Sequence, residues 1–216
     1  MLLSQPLIQT LALFSSYLYG TMYLMLSIFP TLWVERYHEK IVIGGLNYLS
    51  LGFGYMLGSQ LCAFTIDTIY RKLIRRNDDR GRPEYKLPLA VLGAVLVPCG
   101  LLIYAWCGQY RTFWLFPNLG AAVFAMGVII GLQCVTNCLF HTYPQYTASS
   151  IGAVTLLRGS AGFGFPLFAP YMYQKLDYGW GNSLLAFVAT FVGIGAPVAL
   201  WFLGHALRTR SVLCAD

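Results

Sequence analysis

The sequence predicts an all-α, polytopic membrane protein made of a single six-transmembrane-helix bundle, and three observations carry that expectation. Hydrophobic residues fill 57% of the 216 positions and charged residues only 10%, where a soluble domain carries about 25% charged residues. The charges are clustered rather than spread: residues 1–34 contain none, and seven of the fourteen Lys and Arg fall between Arg71 and Lys86. Between the charged stretches lie apolar runs of the roughly 20 residues needed to cross a hydrocarbon core. The net charge of +6 therefore concerns orientation in a bilayer, and no nucleic-acid partner is expected.

A first span is expected over 9–33. It should be retained, because a secretory leader has a basic start and a shorter apolar centre. Tyr19 and Tyr23 share one face of it at i, i+4, a placement that suits either ordinary packing or contact with an aromatic or cationic solute. The mixed-charge turn Glu35–Lys40 leads into a second span over 42–65. Gly54 and Gly58 in it form a small-xxx-small pair, which lets helices approach closely. Asn47 is either a site residue or an interhelical hydrogen-bonder. Residues 66–86, opened by Asp67 and Arg71, form the basic loop. The positive-inside rule places that loop in the cytoplasm. By alternation both termini join it there, and the connections near Glu35, Arg111 and Lys175 face outward.

The third and fourth spans are expected over 87–107 and 114–139, with Trp106 and Trp114 at their ends, where aromatic belts form. Gln133 and Asn137 lie on one face of the fourth span, facing either a solute or a neighbouring helix. A fifth span over 148–172 and a sixth over 183–205 flank the turn Asp177–Asn182. The six cysteines show no zinc-like spacing with histidine and read as small packing residues. No cofactor or metal is expected.

The fifth span holds the chain's most informative stretch. From Leu156 to Pro170 it is apolar and rich in glycine, yet it carries Arg158, with no acidic residue between Glu84 and Asp177. A lone arginine deep in a bilayer costs about 2.5–3.5 kcal/mol on insertion scales. It should therefore face a polar cavity or a partner.

Several runs carry a resemblance. Arg82-Pro83-Glu84-Tyr85-Lys86-Leu87-Pro88, Leu157-Arg158, Ala161-Gly162-Phe163-Gly164-Phe165-Pro166-Leu167-Phe168-Ala169-Pro170 and Gly179-Trp180-Gly181-Asn182-Ser183 resemble fungal transporters of the major facilitator superfamily. The branch they resemble is that of twelve-span drug:proton antiporters. Tyr19-Gly20, Phe29-Pro30-Thr31-Leu32-Trp33 and Gly44-Gly45-Leu46-Asn47-Tyr48 fit the seventh and eighth spans of that family. The resemblance covers nearly the whole chain and implies the C-terminal half of an exporter of small amphipathic organic compounds. Such proteins work by alternating access around a site between two halves. It implies a lipid-embedded protein partnered by a small-molecule solute, and by a second copy or a separate N-terminal half. The plasma membrane is the expected address and the vacuolar membrane the alternative.

On this picture Arg158 is the polar cavity residue, Gln133 and Asn137 offer amides, and Phe163 and Phe165 form an apolar wall. Proton coupling would need a carrier elsewhere, since no span interior holds a carboxylate. The chain departs from the family at Thr68, where an arginine is usual, at His141, where an acid is common, and at Gln145, again in place of arginine. Asp67 and Arg71 belong to the loop that resembles the family's gating motif, so the change at Thr68 bears on gating. Two alternatives stand beside transport. One is an incomplete half-transporter without activity of its own. The other is an intramembrane serine protease using Ser160 and His205, although the order Gly159-Ser160-Ala161-Gly162 differs from the Gly-x-Ser-Gly of such enzymes.

Overall fold

A computed structural model describes residues 6–76 and 87–209, with side chains over 8–65 and 89–193 except His141. The middle of the basic loop thus lies outside the described residues, as do the side chains of Asp67, Arg71 and His205. All regular structure among the described residues is helical. Helix α1 (Pro6–Thr31) runs into a π-helical turn, Leu32–Arg36. A short α2 (Ile41–Leu46) and a long α3 (Tyr48–Arg76) follow, then α4 (Leu87–Gln109) and α5 (Leu115–Thr142). A 3-10 turn, Pro144–Tyr146, leads to α6 (Thr147–Thr209).

Helix α6 is two helices joined at a break. Asp177 has φ 55° and ψ 178°, outside the helical region, and divides α6 into limbs 147–176 and 178–209. Each limb is about 45 Å long at 1.5 Å per residue, enough to cross a core about 30 Å thick. The chain folds back at the break, since Tyr17 of α1 packs its ring against Phe165 before it and donates its hydroxyl to the Leu185 carbonyl after it, at 2.6 Å. Five continuous stretches are long and apolar enough to cross a membrane, the last of them running through this break. The protein is thus an all-α membrane bundle.

Helix α1 is the centre of the bundle. Its span is 67% buried, against 22% for the span 41–65 that includes α3. It packs on both limbs of α6 and on α5, while α4 packs on α5 and α6, and α3 leans on α5. The α4–α5 seam is built from glycine. A Cβ on Gly93 would come within 2.9 Å of the Gly127 carbonyl, and one on Gly120 within 2.6 Å of the Tyr104 amide nitrogen. Gly54 and Gly58 serve the α3–α5 seam in the same way. A Cβ on Gly54 would collide with the Ala122 backbone, and one on Gly58 would lie 2.8 Å from the Met126 carbonyl. Dispersion between closely approaching backbones drives such contacts in lipid, where apolar burial against water is not available.

The bundle end near Asp177 is tied together by polar bonds. Arg36 pairs with Asp177 at 3.3 Å and lies 5.5 Å over the Tyr178 ring. Tyr37 donates to the Thr112 carbonyl at 2.9 Å, and the Gly179 amide donates to the Gln109 side chain at 3.2 Å. Burial is the main influence on the Tyr37 phenol and raises its pKa, which keeps it a donor. These bonds join α1, α4 and α6 at one end of the bundle.

Candidate functional site

Four helices bring polar side chains onto one continuous face. On α1, Tyr19 and Tyr23 stand one turn apart, their hydroxyls 3.3 Å and their ring centroids 4.8 Å from each other. The first limb of α6 meets them with Arg158, whose guanidinium lies 5.2 Å over the Tyr19 ring. Gly162, one turn after Arg158, makes room for that ring: a Cβ there would come within 3.0 Å of it. The glycine is thus required by a close approach between helices, and the arginine covers the ring from above.

Helix α3 continues the face. Tyr55 lies within electrostatic range of Tyr19 and Tyr23, and its buried hydroxyl has no hydrogen-bond partner among the described residues. Ser59, one turn further along, accepts a hydrogen bond from the Gln133 amide of α5 at 2.9 Å. Asn137, the next turn of α5, donates to the Gln133 carbonyl at 2.9 Å. The sequence from one edge to the other is Arg158, Tyr19, Tyr23, Tyr55, Ser59, Gln133 and Asn137. Arg158, Tyr19 and the two amides are partly buried, and Tyr23 is 39% exposed.

The depth of Arg158 follows from its position. It lies eleven residues into its limb from Thr147, roughly 16 Å along a helix rising 1.5 Å per residue. That is about half of a 30 Å hydrocarbon core. A cation–π contact is worth about 0.5–2 kcal/mol, which offsets only part of the insertion cost of a lone arginine, about 2.5–3.5 kcal/mol. Arg36–Asp177 is the one ion pair among the described residues, and it lies at the end of the bundle.

The other expected site residues lie elsewhere. Asn47 donates to Glu39 at 3.0 Å and accepts from Asn118 at 2.9 Å. That is the interhelical bonding its position also suited, and it lies apart from the face. Phe163 and Phe165 do not form one wall. Phe163 is 73% exposed, whereas Phe165 packs its ring over Gly20 and edge-on to Tyr17. Ser160 donates to the Leu156 carbonyl of its own helix at 3.0 Å, as a membrane serine commonly does. Tyr55 and Ser59 were not expected from the sequence. Their i, i+4 spacing beside Gly54 and Gly58 was the available signal.

Proteins similar to this chain are fungal transporters and efflux pumps. The chain is 46% identical over 211 residues to the efflux pump vrtL of Penicillium aethiopicum, a match covering 98% of this chain and 42% of that protein. It is 42% identical to the uncharacterized transporter C1529.01 of Schizosaccharomyces pombe, over 98% of this chain and 43% of that one. The MFS-type transporter oryF of Aspergillus oryzae is 40% identical over 96% of this chain and 43% of its own length. No family model matches the chain, and no solved structure matches it. The chain thus spans about two fifths of the length of these relatives. With its helical bundle and its apolar spans, the chain is similar over nearly its whole length to fungal MFS-type transporters and efflux pumps, and the share of them that it matches is the share a C-terminal half would take.

Proposed function

We propose that the face running from Arg158 to Asn137 is the solute-binding face of an exporter of small amphipathic organic compounds. The observation that carries this reading is the convergence of α1, α3, α5 and the first limb of α6 on one polar stripe in otherwise apolar helices. Intramembrane polar side chains are costly and mark pathways by default. A second six-helix half, on the same polypeptide, on a separate chain or from a second copy, would cover this face. Rocking of the two halves would then expose the stripe alternately to the two sides. Tyr19, Tyr23 and Tyr55 supply aromatic surface, Gln133 and Asn137 supply amides, and Arg158 supplies charge. Asp67 and Arg71, at the basic-loop end of α3, belong to the proposed gating loop.

The test is efflux from yeast lacking its own drug exporters. The chain is co-expressed with the complementary half of the Penicillium aethiopicum relative, and retention of a panel of anionic, neutral and cationic fluorescent amphiphiles is followed. Expected is lowered retention of at least one dye, reversed by Gln133→Ala or Tyr23→Ala at unchanged expression. If some dye is exported and neither substitution affects it, the stripe is not the solute face.

A further inference from the structure

The stripe holds one full charge, and its sign selects the solute. Arg158 presents five N–H donors and no acceptor, and no carboxylate approaches it among the described residues. The groups beside it are phenols: Tyr19 lies beneath the guanidinium and Tyr23 is bonded to Tyr19. A tyrosine face in a membrane would suit a cationic solute, but the face of Tyr19 is already covered by the guanidinium at 5.2 Å. A second cation there would meet like charge in a medium that screens poorly.

We propose that this face takes an aromatic organic anion, one ring system bearing a carboxylate or phenolate. The proposal rests on the solute-face reading above and narrows it. The oxyanion lies on the planar fork of Arg158, which matches a carboxylate in two parallel hydrogen bonds. The Tyr19 and Tyr23 hydroxyls share one bond between them, so one proton of the pair remains to be donated. The solute's ring lies along Tyr23, the most open aromatic of the group at 39% exposure. Binding would neutralise the lone cation of the stripe.

The experiment uses the chain together with the complementary half of the Penicillium aethiopicum relative in phosphatidylcholine nanodiscs, and three probes of one shape: 2-naphthoate, 2-naphthylmethanol and 2-naphthylmethylammonium. Calorimetric titration is corrected with empty discs, and circular dichroism checks the fold of each variant. Expected is 2-naphthoate binding at least tenfold tighter than the alcohol, with the ammonium weakest. Arg158→Gln brings the naphthoate to the level of the alcohol, and Arg158→Lys keeps part of the preference. Binding of the alcohol or ammonium as tightly as the naphthoate overturns the proposal, as does a naphthoate preference that survives Arg158→Gln. Should all three probes bind alike and all weaken with Tyr23→Ala, the face still binds solutes and only the anionic class fails. If no probe binds a correctly folded chain, both readings fail.

Discussion

Pro30 has no amide hydrogen, so the Leu26 carbonyl four residues earlier loses the donor that a regular helix supplies. The Tyr48 hydroxyl fills that gap, donating to the Leu26 carbonyl at 2.9 Å, while its ring packs against Phe29 at 4.9 Å. A proline in one helix thereby dictates a tyrosine at the start of another. Replacing Tyr48 by phenylalanine keeps the ring and orphans the carbonyl, at a cost of about 0.6–1.5 kcal/mol. With Pro30→Ala the helix provides its own donor, and the cost of Tyr48→Phe should drop to below about 0.5 kcal/mol. Thermal denaturation of the four proteins in detergent measures the cycle. Equal costs in both backgrounds would show that the hydroxyl acts otherwise. Asp177 offers a second check at this scale. Its φ of 55° is a left-handed value that strains any residue with a Cβ, and its carboxylate pairs with Arg36. Asp177→Ala loses the pair and keeps the strain, whereas Asp177→Gly loses the pair and relieves it. The glycine variant should be the more stable by about 1 kcal/mol, read as the higher melting temperature.

Helix α3 shows how far the sequence could be read at the scale of an element. Its span and its Gly54–Gly58 contact were legible, because length, apolarity and small-residue spacing are local properties. Ser59 and Tyr55 were not, because serine and tyrosine are ordinary in membrane helices and only the placement of α5 and α1 makes them part of a stripe. Asn47 is the converse case. A lone amide in a span says that it needs a partner, but Asn118, 71 positions away, is found only when α5 is laid beside it. For Phe163 and Phe165 the information was present: residues two apart on a helix are turned by about 200° and cannot share a wall. Arg158 announced itself by charge alone, and the structure adds the ring of Tyr19 against it. The α3–α5 seam yields a prediction. Leucine at Gly54 would drive a side chain into the Ala122 backbone, so Gly54→Leu should part α3 from α5. Trapping of Ser59→Cys against Gln133→Cys with a short bis-methanethiosulfonate, across a pair whose native side chains hydrogen-bond at 2.9 Å, is expected to be efficient without Gly54→Leu and strongly reduced with it. Undiminished trapping would mean that the seam tolerates a large residue.

Across the whole molecule the charges divide between two ends. One end carries the ion pair Arg36–Asp177 and the hydrogen bond from Asn47 to Glu39, together with the Tyr37 and Gln109 bonds. The other carries the run from Arg71 to Lys86, which holds half of all Lys and Arg in the chain. Basic residues close to span ends resist translocation, so this second end is predicted to face the cytoplasm and the tied end the outside. Orientation is tested by single cysteines in a background freed of the native ones, of which Cys99 is exposed and Cys107 partly so. Tyr110, 71% exposed at the tied end, and Arg75 beside the basic loop are the two sites. In intact cells a membrane-impermeant maleimide should label Tyr110→Cys within minutes and reach Arg75→Cys only after permeabilisation. The reverse pattern would invert the bundle.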